Sequence, residues 1–239
     1  MSEPSSSSAT DVVWDEVFGD QTLDVVLKST VDNVYFRASS YTLKKETSLY
    51  NGMFTMIPNV GHMTPEDAIP LDFDAPTITI FLACVNARAV ITPYFATFPV
   101  LQLGRLLHIV RHADCERLLP PVEREYKRAC VRSPHDWLLT AIELNDLNEV
   151  ADALRHSARE GKGVDFTVVK GLIARVVDKA WHLPLFCAFT PDTPLYPDRA
   201  LCPFAWPTEE KISILLTEIQ KGRIGTRDGD GGRAVAAVA

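Results

Sequence analysis

Paired cysteines, an excess of basic residues and a long apolar run are all missing from this sequence of 239 residues, and each absence removes a class of protein. The five cysteines (Cys84, Cys115, Cys130, Cys187, Cys202) lie no closer than fifteen residues apart, so there is no C-x-x-C. An odd count leaves one thiol over in any disulfide scheme, and the usage reads as buried thiols in a reducing compartment. Lys and Arg number 24 against 31 Asp and Glu, a net charge of −7. That balance attracts neither phosphate backbones nor anionic lipid, so no nucleic acid and no membrane is expected as a partner. The longest uncharged apolar-rich run, TITIFLACV from Thr77 to Val85, is about half of the roughly 20 residues a spanning helix needs. MSEPSSSSAT has neither a basic nor an apolar signal segment, and there is no N-x-S/T sequon. The expectation is a soluble intracellular protein of cytoplasm or nucleus. G-x-S-x-G, H-E-x-x-H and P-loop signatures are absent, and Gly161-Lys162-Gly163 lacks the third glycine of a dinucleotide fingerprint. No cofactor, no metal and no catalysis are expected.

What is present suffices for a core. With 46% apolar and 23% charged residues the chain is balanced like a soluble globular protein of one large domain or two small ones. Residues 1–11 are Ser-rich and 222–239 hold five of the twelve glycines, so both ends are expected to be loose. LDVVLKS (23–29) and NVYFRAS (33–39) flank Thr30-Val31-Asp32 as β-branched, partly alternating runs, the mark of a hairpin. Leu43, Tyr50, Met53 and Phe54 predict two short consecutive helices over 40–56, with Thr47 or Ser48 as the cap between them. AIPLDF (68–73) reads as a strand, and Asp74-Ala75-Pro76 opens a helix whose stripe is Ile78, Phe81, Leu82 and Val85. Leu103, Leu106, Leu107 and Val110 mark a helix over 99–114, and Pro120-Pro121 the start of another. Ser133-Pro134-His135-Asp136 predicts a Ser-capped helix to about Leu144, and Asp146 with Glu149 resembles a capping box for the next. Residues 164–183 are expected to be helical. Six of the sixteen prolines fall between 184 and 207 among Phe186, Phe189, Tyr196, Phe204 and Trp206, which predicts an irregular strap without helix. Thr208 caps a last amphipathic helix through Ile212, Leu215, Leu216 and Ile219.

The order hairpin, two short helices, strand, then several helices is α+β, a small β-sheet capped by helices. LDVVLKS followed by FRASSYTLKKETSLYNGMF resembles the front half of a BTB/POZ domain. In that family an aspartate precedes a strand, the next strand ends F-x-A-H-K-x-x-L, and S-x-x-F-x-x-M-F follows. Asp24 takes the aspartate, Phe36 and Ala38 the strand end and Leu43 the leucine, while Thr47, Tyr50, Met53 and Phe54 fill the last motif. AIPLDFDAPTITIFLACV and LQLGRLLHIVRHADCERL are similar to the family's later strand and helices. DWLLTAIELNDLNEVADALRH is similar to the helical extension of many fungal BTB proteins, so the likeness covers about 20–156. It implies a BTB/POZ-like domain over 12–132 and a helical extension over 133–183, followed by the strap (184–207), the amphipathic helix (208–221) and the tail. It also implies a non-catalytic protein-interaction module that self-associates as a homodimer.

Two departures bear on partners. Ser39-Ser40 stand at the family's His-Lys/Arg position, which removes the basic partner of Asp24 in the groove of transcription-repressor members. No glutamate lies between Ala68 and Cys115, where cullin-adaptor members carry a hydrophobic-x-Glu element. A substrate adaptor that binds a cullin through 75–115 is the alternative the resemblance implies.

VVWDEVF (12–18) has two readings: a strap docked on its own domain, or an intermolecular contact. In family members that dimerise, the region before the first strand exchanges across a two-fold axis, which favours the second. The expected contact set is therefore Val13, Trp14, Val17, Phe18 and Asp24 with Tyr50, Met53 and Phe54, against a second copy or an unidentified protein. A zinc protein or unrecognised enzyme is the remaining alternative. His108, His112 and Cys115 can share one side of a helix, but no fourth ligand is evident, and the simpler reading is half-exposed helix residues beside a leucine seam. Arg124, Lys127, Arg128 and Arg132 read as a solvated face.

Overall fold

The computed structural model describes residues 12–56, 63–87, 95–159, 166–176, 178–189 and 207–227. The expectations for 1–11, for 190–206 and for the tail beyond Arg227 lie outside these residues. The chain divides into two compact units, 1–128 and 129–239. The division falls inside the helix Leu119–Arg132, one turn before the boundary that Ser133-Pro134 predicts.

The first unit is α+β. Strands β2 (Val25–Ser29) and β3 (Val34–Ala38) form the expected antiparallel hairpin, with Val25 opposite Ala38 and Leu27 opposite Phe36. Its turn is closed by the Ser29 hydroxyl, which accepts from the Asp32 N–H at 3.0 Å and donates to the Phe73 carbonyl at 2.7 Å. Asn33 takes the left-handed conformation there (φ 57°), which asparagine tolerates better than most residues. β1 (Val13–Trp14) adds in parallel to β3 and β4 (Ile69–Leu71) in parallel to β2, giving the order β1-β3-β2-β4. Pro70, which cannot donate to a ladder, sits in an edge strand, where that costs nothing. Val25, Val26 and Leu27 are all buried, so the central strand is covered on both faces.

Helices α1 (Ser40–Glu46) and α2 (Ser48–Met56) are separated at Thr47, as expected. Thr47 is extended (φ −139°, ψ 135°), and its backbone N–H and its hydroxyl both donate to the Leu43 carbonyl, ending α1 and turning the chain into α2. Asp74 caps α3 (Ala75–Asn86) by accepting from the Thr77 N–H at 3.3 Å. The predicted stripe of α3 is buried, and so are Thr77, Ile80 and Cys84, which makes α3 the central helix of the unit. α4 (Val100–His112) buries Leu103, Leu106, Leu107 and Val110 as predicted and packs on α3. It ends in a Schellman motif: Cys115 N–H donates to the Val110 carbonyl and Asp114 N–H to that of Arg111, with Asp114 left-handed (φ 50°). The Asp114 and Ala113 carbonyls then accept from the Ser48 and Leu49 N–H groups, capping α2 from another part of the chain. α5 (Leu119–Arg132) follows, with Arg124, Lys127, Arg128 and Arg132 all on its exposed face.

The second unit is helical. α6 (Pro134–Glu143) and α7 (Leu147–Arg159) pack together across a second Schellman turn at Asn145 (φ 60°). Two expected caps differ in detail. Ser133 occupies the N-cap of α6, yet its hydroxyl makes no capping bond. Asp146 accepts from the Asn148 and Glu149 N–H groups at 3.1 Å, while the Glu149 carboxylate takes the Trp137 indole N–H at 2.6 Å. The helix expected over 164–183 breaks after α8 (Phe166–Arg175). Asp178 caps a 3₁₀ turn, Lys179–Trp181, and α9 (His182–Phe189) follows. The expectation of no helix after 184 is corrected for 184–189: Pro184 falls in the first turn of α9, where a missing N–H goes unmissed.

α10 (Glu209–Arg227) starts at Thr208 and runs beyond the expected end at 221. Ile212, Leu215 and Ile219 are buried, with Leu216 packed beside them, in a core that includes Leu138, Val150, Leu154 and the fully buried Trp181. The Arg155 guanidinium of α7 bonds both oxygens of Glu209, pinning the start of α10. The apolar face of the last helix is thus used within its own unit.

Candidate interaction surface

Residues 12–18 dock on their own sheet. After the parallel pairing of Val13 and Trp14 with Val34 and Tyr35, Asp15 N–H donates to the Tyr35 carbonyl at 2.9 Å, and the Phe18 carbonyl accepts from Arg37 N–H at 2.5 Å. Asp15 folds the turn between, its carboxylate accepting from the Val17 and Phe18 N–H groups at 3.0 and 2.9 Å and from the Thr79 hydroxyl at 3.1 Å. Gly19 closes the turn because a Cβ there would lie 2.8 Å from the Asp15 carbonyl oxygen. The Trp14 ring lies against the Tyr35 ring (5.8 Å) and the Arg37 guanidinium (4.8 Å). Trp14 and Phe18 are therefore half-buried against their own chain, whereas Val13 (56% exposed) and Val17 (71%) face outward.

Asp24 has a local partner in place of the absent basic residue. Its carboxylate accepts from the Ser40 N–H at 2.8 Å and from the Ser40 hydroxyl, holding negative charge at the first turn of α1. Asp24 is thereby tied to the fold that starts α1.

The expectation for α2 needs the largest correction. Tyr50 and Phe54 are each 2% exposed and stack on one another with ring centroids 5.8 Å apart, inside the core of the first unit. Burial pushes the Tyr50 phenol well above its ordinary range, so it stays neutral. Neither side chain can meet a partner. Met53 is half-buried, and beyond it Leu49 (39% exposed) and Met56 (81%) lie on the outer side of the helix. At about 100° per residue, Leu49, Gly52, Met53 and Met56 share an arc of about 100°, while Tyr50 and Phe54 lie on the adjoining arc. Leu49 and Met56 were legible as an i, i+4, i+7 set with Met53. That set is hidden because the inner pair makes an equally good stripe, and burial alone tells the two apart. α2 carries no charged residue along its whole length.

The other candidate chemistry comes apart. His108 and His112 are exposed on α4 and pack against the Phe73 ring at 5.5 and 5.9 Å, whereas Cys115 is buried beyond the helix end. Among the described residues, no group of three His, Cys, Asp or Glu side chains is placed to hold a metal. Burial raises the Cys84 thiol to about 11 and raises Cys115 as well, leaving both poor nucleophiles at neutral pH. A polar groove of about 260 Å³ lies where α1 meets α2, lined by Lys44, Lys45, Glu46, Asp114, Glu116 and Arg117 among others. Its two most enclosed charges, Glu46 and Arg117, are already used. Arg117 pairs with Glu46 (2.5 Å) and donates to the carbonyls of Cys84, Val85 and Ala87 at 2.9 to 3.2 Å, closing the C-terminal end of α3.

Among the described residues, no helix is long and apolar enough to cross a membrane. No protein-family model matches the sequence, and no curated protein matches it significantly.

Proposed function

We propose that the chain is a non-catalytic protein-interaction module, built on a BTB/POZ-like first unit, whose contact surface is the outer side of α2. The order of hairpin, helix pair, parallel strand and central helix supports the BTB/POZ-like reading, because it is the order that the resemblance implies over 20–86. The observation that carries the interaction reading is the uncharged arc of exposed Leu49 and Met56 with half-buried Met53, on a helix whose adjoining arc is already buried. Exposed contiguous apolar surface is costly to keep in water, and uncharged cores with methionine are typical of protein contacts. Val13 and Val17 offer a second apolar edge at β1. Trp14, Phe18, Tyr50 and Phe54 support these surfaces from beneath, and a charge placed at Trp14 would test the fold before it tested association.

Self-association is the form of interaction proposed, and the assay is sedimentation velocity of the full chain over a concentration series into the high micromolar range. A mass that rises toward twice 26.5 kDa is the expected result. A constant monomer at every concentration would contradict it.

A further inference from the structure

We propose that Thr64 is a phosphorylation site, the acceptor for a protein kinase that reads the proline after the acceptor hydroxyl, and that the phosphate opens the turn leading into β4. The sequence holds five Ser/Thr-Pro dipeptides, beginning at Thr64, Thr92, Ser133, Thr190 and Thr193, and the described residues include Thr64 and Ser133. The acceptor hydroxyl has to reach the γ-phosphate inside a kinase's cleft, so a segment already extended and exposed is the better acceptor. Thr64 is exposed and extended (φ −97°, ψ 168°), and Pro65, which lacks an N–H, disfavours helical backbone at the residue before it. Beyond it a single 3₁₀ turn, Pro65–Asp67, has to open. That turn is closed by Asp67 N–H to the Thr64 carbonyl at 3.0 Å and Ala68 N–H to that of Pro65 at 3.4 Å. Ser133 is half-buried between the end of α5 and the start of α6, and its N–H donates to the Ala129 carbonyl at 3.0 Å. Presenting Ser133 means unwinding two helix ends.

The step is a phosphoryl transfer from ATP. The Thr64 Oγ attacks the γ-phosphorus, the new O–P bond forms as the bond to the oxygen bridging the β-phosphate breaks, ADP leaves, and the hydroxyl proton passes to the kinase's catalytic aspartate. In the unmodified chain the Thr64 hydroxyl donates to the Asp67 carboxylate at 2.8 Å and the Thr64 N–H to the same oxygen at 3.2 Å, which holds the turn closed. These bonds favour the ionised form and keep the Asp67 carboxyl below its usual range. Esterification removes the donated proton and sets a charge of about −1.5 to −2 beside Glu66 and Asp67, which are both exposed. An attraction thus becomes a repulsion between like charges. The turn carries the chain from Met63, tethered by its N–H to the Asp24 carbonyl at 3.0 Å, into β4, a three-residue edge strand. Opening the turn releases the start of that edge.

The test treats the full chain with ATP and a purified proline-directed Ser/Thr kinase and reads intact mass, the site by peptide mapping, and amide hydrogen exchange. A gain of about 80 Da located at Thr64, at a rate at least tenfold that at Ser133, is the expected result. Thr64→Ala should lose that phosphate, and Pro65→Ala, which keeps the hydroxyl, should slow its addition at least tenfold. In the phosphorylated chain the amides of residues 67–71 should exchange several-fold faster than in the unmodified chain, and faster than in Thr64→Ala, which loses the hydroxyl without gaining charge. No phosphate at Thr64, Ser133 modified as fast, or Pro65→Ala modified as fast as the native chain overturns the site. Phosphate at Thr64 with exchange at 67–71 unchanged or slower overturns the opening of the turn; slower exchange would mean that Arg37, whose Nη1 reaches the Met63 carbonyl at 3.4 Å, has taken the phosphate.

Discussion

Truncating Arg117 to alanine should be the most damaging single change on the surface of the first unit. The guanidinium is 29% exposed and Glu46 is 15% exposed, so the pair is screened less than an open surface pair. One fork serves Glu46 and three carbonyls at the end of α3, groups 30 to 71 positions away in sequence. Hydrogen bonds from a charged donor contribute about 1.5 to 3 kcal/mol each when the partner is left unpaired. They are not additive here, because water enters the space the side chain leaves. About 3 kcal/mol is the expected loss, a large part of a stability of about 5 to 15 kcal/mol. With an m-value of about 3 kcal/mol/M, the urea midpoint should fall by about 1 M. Arg117→Lys keeps the charge without the fork and should lose roughly half as much. Glu46→Gln leaves the carbonyl bonds intact and should cost less than Arg117→Ala. Hydrogen exchange at Asn86 and Ala87 should accelerate in Arg117→Ala. A midpoint within about 0.2 M of the native chain, or a Glu46→Gln variant as unstable as Arg117→Ala, would refute the view that one arginine closes α3.

Three further outcomes follow from single groups. Folded Cys84 keeps its proton to about 11 while the unfolded thiol ionises near 9.0, so the unfolded chain binds fewer protons between those values and stability falls as pH rises from 9 to 11. The slope is at most about 1.4 kcal/mol per pH unit for that thiol; Cys84→Ala should flatten it, and an unchanged slope in urea titrations at pH 9, 10 and 11 would count against burial as the cause. Asp114→Gly relaxes a left-handed residue at the end of α4 and should gain about 0.5 to 1 kcal/mol, seen as a melting point higher by a few degrees; a lower one would show that the aspartate side chain is needed. Among the described residues the Ser157 hydroxyl, buried in α7, has no hydrogen-bond partner, so Ser157→Ala should be neutral or stabilising by up to about 1 kcal/mol, and a loss above that in urea would reveal a bond the hydroxyl makes.

The buried side of most helices was readable because periodicity is a local code. Ile78, Phe81, Leu82 and Val85, or Leu103, Leu106, Leu107 and Val110, have one apolar face, and the core takes it. α2 has two adjoining apolar arcs, so its period could not say which one faces in. Pro184 misled for a different reason: a proline excludes helix from its interior and not from its first turn, and only the 3₁₀ turn at 179–181 places residue 184 there.

By itself the sequence determined the hairpin around Asn33, the break at Thr47, the Asp74 cap and the apolar stripes, since each depends on residues within about four positions of one another. Tertiary structure decided the rest. It set β1 beside β3, gave Asp24 to the first turn of α1, sent Arg117 to Glu46 and the end of α3, turned Tyr50 and Phe54 inward and left Gly52 and Met56 outside. Those choices join residues far apart in the chain, and their energies exist only once packing has closed the loops between them.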